Sequence, residues 1–168
     1  MVSYTRGMTK RLVLALAAAL AVAACKGPDV RTALQVVDVH SGWFEAGRID
    51  ETQLKIVPGI SFRLKNVSQQ PVNGIEVTGV FRILEGEKLV VDSPYVRAIP
   101  SARPLAAGAT SEPIVLRSQF GVTGTETRLQ MLKNSRFVDR NITILGKARR
   151  RQWATMAVFT IERAPINR

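Results

Sequence analysis

Apolar and polar residues alternate with a period of two along much of the chain after residue 30, and this pattern constrains the fold most. From Ile60 to Lys65, three apolar side chains alternate with three polar ones. The alternation recurs from Ile75 to Ile83, with Gly79 at one inward position. Because successive side chains of a strand point to opposite faces of a sheet, the pattern is typical of half-buried strands.

Seven to nine short strands are expected in all, since further segments share the composition of strands. These segments are 34–39, 88–91, 95–99, 114–117, 142–145 and a last strand with Trp153, Phe159 and Ile161 on one face. One short helix is expected, capped by Thr125 and containing Leu129, Met131 and Leu132. Together these elements predict an all-β domain, a β-sandwich or a β-barrel.

The first 24 residues have the pattern of an export signal. Arg6, Lys10 and Arg11 precede a run of 13 apolar residues, 12–24. A basic segment, an apolar core of this length and small residues before a cleavage site are typical of secretory signal peptides. As a helix the run would be about 20 Å long, shorter than the hydrocarbon core of about 30 Å. The pattern therefore favours a cleaved signal over a membrane span or a buried helix.

The segment ends in Val22-Ala23-Ala24-Cys25, which resembles the lipobox of bacterial lipoproteins. The resemblance implies that the Cys25 thiol receives a diacylglycerol and that acyl chains such as palmitate anchor the protein in a membrane. Residues 1–24 would then be removed, 25–32 would form a lipidated tether, and 33–168 would form the domain. Lys26 follows the cysteine, which by the same resemblance implies the outer membrane, facing the periplasm, in a host with two membranes.

The alternative is an ordinary cleaved signal in which Cys25 stands by chance. Cys25 is the single cysteine of the chain, so once acylated it leaves no thiol for a disulfide or a metal. A short tether would also keep the domain close to the anchoring membrane. Either alternative predicts an exported domain that is stable through its core alone.

Positive charge is concentrated at the C-terminal end of the chain. Residues 128–168 hold 10 basic groups against Asp139 and Glu162, whereas residues 25–127 hold 11 basic and 11 acidic groups. Four of the ten lie between the last two predicted strands, in what we expect to be an exposed hairpin loop: Lys147, Arg149, Arg150 and Arg151.

This basic cluster predicts an anionic partner, because clustered charge attracts ions of the opposite sign. For an exported protein the partner would be a lipid phosphate, lipopolysaccharide or an acidic surface of an envelope protein. Nucleic acid is not expected, since the chain lacks a basic groove interleaved with aromatic residues. The alternative is a solvated hairpin tip without a partner.

Segments in the middle of the chain resemble the FxLYD domains of bacterial surface and secreted proteins. Residues 60–68 are similar to their strand with an Asn-x-Ser entry, and 81–85 to a relaxed form of the motif that names them. Residues 105–108 and 114–116 are similar to their Leu-x-x-Gly turn and closing strand. The motif differs here in having leucine and glutamate for its tyrosine and aspartate. The resemblance implies an immunoglobulin-like β-sandwich without known catalysis.

Few residues have a pattern suited to catalysis or metal binding. His40 is the single histidine; Ser41 follows it, and Asp38 lies two residues away on the same predicted strand. A catalytic triad needs a base oriented by a third group, and no Gly-x-Ser-x-Gly motif presents a serine. The acidic pairs at 50–51 and at 85 and 87 are typical of solvated turns. We therefore expect no enzyme activity, no cofactor and no metal.

Trp43 and Phe44 lie in a predicted loop over residues 40–44. If exposed they would be a candidate anchor for a partner, because tryptophan is enriched in interface hot spots; we favour burial. In sum, the sequence predicts a lipid-anchored, non-catalytic binding or assembly module that uses edge strands and the basic C-terminal region. The alternative is a periplasmic carrier that holds an apolar ligand or lipid between its sheets.

Overall fold

A computed structural model describes residues 28–83, 90–92, 94–149 and 151–166. The predicted signal peptide and Cys25 lie outside the described residues, and so does Arg150. Within those ranges the chain forms nine strands and two short helices. In chain order they are α1 Val30–Ala33, β1 Leu34–Arg48, β2 Leu54–Asn66, β3 Ile75–Ile83, β4 Val90–Asp92, β5 Tyr95–Ile99, β6 Ile114–Arg117, β7 Val122–Gly124, α2 Arg128–Lys133, β8 Arg140–Lys147 and β9 Ala154–Thr160.

The strands form two antiparallel sheets, which confirms the predicted all-β sandwich. In the first sheet, β2 pairs along one edge with β1 and along the other with β6 and β7. In the second sheet, β3 pairs along one edge with β8, which also pairs with β9, and along the other with β5 and β4. Each sheet therefore contains a central strand, β2 or β3, that pairs with one strand along one edge and with two shorter strands along the other.

Apolar side chains of both sheets pack into one core, as the alternation predicts. The inward residues of the central strands β2 and β3 include Ile60, Phe62, Leu64, Ile75, Val77 and Phe81, all fully buried. At Gly79 the sheets are in direct contact, since a Cβ there would lie 3.0 Å from Cδ1 of Leu116 in the facing sheet. It would also lie 2.6 Å from Cδ1 of Ile142 in the neighbouring strand β8. A larger residue at this position would force the sheets apart.

Strand β1 continues through residues 40–44, so the prediction of a loop there is wrong. The alternation is hidden because the register between β1 and β2 shifts between Val37 and His40 and again between Glu45 and Gly47. Asp38 has a φ of 51° at the first shift, which is the left-handed region that bulged residues adopt. The polar and glycine residues therefore bend the strand without ending it.

Helix α2 is confirmed, but its cap is Thr127 and the prediction of Thr125 is wrong. The Thr127 side chain accepts from the backbone N–H of Gln130, and the Gln130 side chain accepts from the backbone N–H of Thr127. This reciprocal pair is a capping box, which satisfies two backbone donors at the helix start. Thr125 lies too far from the first turn to accept from it.

Helix α1 is a second, unexpected helix, and it begins inside the predicted tether. Asp29 caps it by accepting from the backbone N–H of Arg31 at 3.0 Å. Val30 and Ala33 are buried in the core. The folded domain therefore begins before residue 33, and the part of the predicted tether from Asp29 onward belongs to the domain.

The prediction that Trp153 shares an inward face with Phe159 and Ile161 is wrong. Phe159 packs against the core and Ile161 is buried, but Trp153 is exposed. Between β8 and β9 the register shifts so that Met156 has no partner residue. A bulge of this kind reverses the alternation between the residues before it and those after it, so Trp153, before the bulge, points out of the sandwich while Phe159 and Ile161, after it, point in.

Asn66, the last residue of β2, organises two loops at one end of the sandwich and is fully buried. Its Nδ2 donates to the carbonyl oxygens of Gln70, Leu105 and Ala106 at 2.8, 2.9 and 3.1 Å. Its Oδ1 accepts from the backbone N–H and the hydroxyl of Ser68 at 3.0 and 2.7 Å. The Asn-x-Ser segment thus ties the connection from β2 to β3 to the loop that precedes β6.

Candidate binding surface

Four side chains form a row across the outer face of the second sheet, at the end where a turn connects β8 to β9. They are Arg97, Glu76, Lys147 and Trp153. Arg97 of β5 and Lys147 of β8 are both paired in register with Glu76 of β3. Trp153 continues the row, because the Lys147 Nζ lies 4.8 Å from the centroid of its indole ring. Residues far apart in sequence are therefore neighbours here through strand pairing.

The Glu76 carboxylate is the electrostatic centre of this row. The Lys147 Nζ lies 2.9 Å from its Oε2, and the Tyr95 hydroxyl also hydrogen-bonds to it. The hydrogen bonds from Lys147 and Tyr95 lower the pKa of Glu76, and the same bond to Glu76 raises the pKa of Tyr95. Glu76 is therefore ionised at neutral pH and holds both partners in place.

Tyr95 and Trp153 form an exposed aromatic pair beside the row. Their ring centroids are 6.3 Å apart with an interplanar angle of 84°, an edge-to-face contact. Tyr95 is 53% exposed and Trp153 is 38% exposed. Tyr95 is not among the predicted surface aromatics, although the alternation of Tyr95 and Arg97 with Val96 and Ala98 is a signal for its exposure.

The basic cluster is divided between a strand and the turn that follows. Lys147 is the last residue of β8 and is paired with Glu76, so its prediction as part of an exposed loop is wrong. Arg149 and Arg151 are exposed, while Ala148 between them and the strand is buried. We call the following set the aromatic–basic surface: Tyr95, Arg97, Lys147, Arg149, Arg151 and Trp153.

The beginning of the described chain lies against this surface. An open groove of about 650 Å³ is lined on one side by residues 28–31 and on the other by 151–155. Within it Arg31 forms an ion pair with Asp29 at 2.6 Å. Hydrogen bonds from the Arg31 side chain and backbone, together with the nearby charge of Arg151, lower the pKa of Asp29 to about 2.

Trp43 and Phe44 are both buried, as the sequence analysis favoured, so the prediction of a partner anchor at these residues is wrong. Trp43 is fully buried in the core. Phe44 is 4% exposed and lies on the opposite face of β1, with its ring against Gly59. The guanidinium carbon of Arg117 covers that ring at 3.8 Å from its centroid. Neither aromatic residue is accessible to a partner.

Ser41 and His40 do not form a nucleophile and base. The Ser41 hydroxyl donates to the carbonyl oxygen of Thr160 at 3.3 Å and accepts from the N–H of Glu162 at 3.1 Å. Ser41 thus connects β1 to the end of β9, while His40 is exposed. The Ser41 hydroxyl therefore makes both of these hydrogen bonds to backbone groups.

The described residues contain neither a metal centre nor a membrane-crossing helix. In that part of the chain, no group of three or more His, Cys, Asp or Glu residues is arranged to hold a metal ion. None of the helices formed by the described residues is long and apolar enough to cross a membrane.

No protein-family model and no curated protein matches the chain. Among solved structures it is similar to a "putative beta-galactosidase from Bacteroides fragilis", with 14% sequence identity and a TM-score of 0.38. The match covers 73% of this chain but 15% of the length of that protein. A likeness of this degree carries no argument about function. The resemblances to bacterial lipoproteins and FxLYD domains stay predictions.

Proposed function

We propose that this chain is a lipid-anchored protein of the bacterial cell envelope and acts as a non-catalytic binding module. Cys25 is the lipid-bearing residue, and the aromatic–basic surface binds an anionic partner. In a host with two membranes the anchor lies in the outer membrane, facing the periplasm. The observation that carries the proposal is the groove shared by residues 28–31 and 151–155, which joins the start of the domain to this surface.

The short distance along the chain from Cys25 to Pro28 supports the link between anchor and surface. Three residues of extended chain reach about 11 Å. An acylated Cys25 would therefore hold the groove, and the arginines beside it, close to the head groups of the anchoring leaflet. A basic surface in that position attracts anionic partners at the membrane and increases their rate of encounter.

The packing of the interior favours this proposal over the alternative of a carrier for an apolar ligand. Such a carrier needs a cavity of several hundred Å³ for its ligand. At Gly79 the two sheets touch, with Ile142 and Leu116 occupying the space that even a methyl group would need. We therefore expect a fluorescent fatty-acid probe to show no saturable, stoichiometric binding. Stoichiometric binding displaced by lipids would favour the carrier instead.

The anchor is tested by the mass of the mature N-terminal peptide of the chain expressed in a bacterial host. We expect acyl chains on Cys25 and recovery of the protein with membranes. The matched control is Cys25→Ser, which should lose both the added mass and the membrane association. An unmodified Cys25 in the wild-type protein would overturn the lipid anchor.

The binding surface is tested by photo-cross-linking in cells with a probe that replaces Arg149. The matched control places the probe at Ile49, which is 60% exposed and lies in the connection between β1 and β2. We expect adducts to an anionic lipid, to lipopolysaccharide or to an acidic protein from position 149 and not from position 49. Equal labelling from both positions would contradict a binding role for this surface.

A further inference from the structure

We infer that the aromatic–basic surface docks on the anionic phospholipid bilayer that holds Cys25, with the rings of Tyr95 and Trp153 at the depth of the head groups. This inference rests on the proposed lipid anchor and names the partner of the proposed binding surface. It turns the domain from a tethered module that moves freely into one with a fixed face toward the membrane.

The exposed aromatic pair has the chemistry of a membrane interface. Tyr95 and Trp153 each combine an apolar ring with a polar edge, and such side chains are enriched where hydrocarbon meets water. They lie next to each other, 53% and 38% exposed, on the outer face of a sheet. The apolar parts of such a pair can enter the head-group region, because the polar edges of the rings stay within reach of water and head groups.

The charges around the pair complement an anionic bilayer. Arg97 is paired in register with Glu76, and Arg151 lines the groove together with Trp153. Both are exposed, and so is Arg149 in the turn between β8 and β9. Basic residues near a membrane surface are attracted to anionic lipids. Among the described residues, two carboxylates that lie close by are occupied within the domain. Glu76 holds Lys147 and Tyr95, and Asp29 holds Arg31. Lipid phosphates would therefore meet exposed cations rather than unpaired carboxylates at these positions.

The position of Pro28, the first described residue, favours the bilayer over a protein as the partner of the aromatic–basic surface. Pro28 and Arg151 line the same groove, and Pro28 is three residues from Cys25. A tether this short makes contact with the anchoring bilayer an intramolecular event, with an effective concentration in the millimolar range or above. Even a weak affinity of the surface for phospholipid would then keep it docked.

Tryptophan fluorescence tests this inference, because the chain has two tryptophans and Trp43 is fully buried. The lipidated protein carrying Trp43→Phe, which leaves Trp153 as the single reporter, is reconstituted in vesicles of phosphatidylethanolamine and phosphatidylglycerol. We expect Trp153 emission to shift to shorter wavelength and to be quenched by phospholipids brominated near the glycerol end of the acyl chain. The lipidated Trp153→Phe protein is the matched control, and its Trp43 emission should not be quenched.

If Trp43→Phe fails to fold, the difference in quenching between the wild-type and Trp153→Phe proteins gives the same measurement. Replacing both Arg149 and Arg151 with glutamate should reduce the quenching of Trp153 on these vesicles. Unquenched Trp153 in a protein whose mass shows acylated Cys25 would overturn the inference and leave the lipid anchor standing. Equal quenching on pure phosphatidylcholine would overturn the role of anionic lipid. An unmodified Cys25 would overturn the proposed anchor and with it the inference.

Discussion

The two tryptophans of the chain make the same kind of contact in opposite environments. Trp43 stands edge-to-face to Phe137 with 4.6 Å between ring centroids, and Trp153 stands edge-to-face to Tyr95 at 6.3 Å. Trp43 is fully buried, whereas Trp153 is 38% exposed. The contact geometry alone therefore does not separate a core residue from a surface residue.

The charges next to the two pairs are also alike. Arg163 lies 5.6 Å from the centroid of Phe137 and is held by Asp139 at 2.6 Å. Lys147 lies 4.8 Å from the centroid of Trp153 and is held by Glu76 at 2.9 Å. Each region thus combines an aromatic pair, a cation and a carboxylate. The difference is that Trp43 points into the core whereas Trp153, just before β9, points out of it, so the first group packs within the fold and the second lies at the surface.

The largest expected difference between the two regions comes from replacing each tryptophan with alanine in turn. Trp43→Ala should lower the free energy of unfolding by about 3–5 kcal/mol, because it empties a filled core position. Trp153→Ala removes a surface side chain and should change it by less than about 1 kcal/mol. Urea denaturation of the two variants measures both values. Comparable losses would show that Trp153 also supports the fold and would weaken its assignment to a binding surface.

The same contrast between buried and exposed positions applies to polar side chains. Asn66→Ala should lower the free energy of unfolding by about 2–4 kcal/mol, since it removes the five hydrogen bonds that this fully buried side chain makes to the two loops. The matched control is Asn73→Ala, at an exposed position of the same connection between β2 and β3, with a change within about 0.5 kcal/mol. Thermal unfolding of both variants gives the comparison, and equal melting temperatures would contradict the organising role of Asn66.

The sequence predicts the sandwich well wherever one strand face is buried and the strand is regular. Strand β2 from Ile60 onward and strand β3 follow the alternation because both are central strands that bury one face along the core. The prediction fails at residues 40–44 and at Trp153 for one physical reason. A bulge changes which face a side chain occupies, and a bulge depends on the partner strand, which local periodicity does not contain.

Part of the candidate surface could also be predicted, namely the basic residues between β8 and β9. The contact of Lys147 with Glu76 could not, because it depends on the pairing of β3 with β8. The place of residues 28–31 beside the hairpin depends on Val30 entering the core. Two local signals, a basic cluster and the end of a signal-like segment, are therefore brought together only by long-range packing.

The smallest expected effect is a pH-dependent change at Trp153 that Trp43 does not share. The pKa of Glu76 is lowered from its ordinary value of 4.5, so the stabilisation from the ionised form is complete above pH 4.5. It is lost as the pH falls through the lowered pKa, because the unfolded chain binds the proton first. Protonated Glu76 then releases Lys147, and the emission of Trp153 in the Trp43→Phe protein should change over this acidic range.

Two further variants assign this fluorescence step to Glu76. Asp139 also has a lowered pKa, because of its hydrogen bond to Arg163. Like Glu76, it therefore becomes protonated only at a pH below the ordinary range of its side chain. Glu76→Gln should abolish the step in Trp153 emission, and Asp139→Asn should leave it unchanged, since Arg163 lies beside Phe137 in the other aromatic region. A step that survives in Glu76→Gln would show that Glu76 does not control the position of Lys147 over the indole. The exposed aromatic pair would then keep its geometry without the ion pair of Lys147 and Glu76.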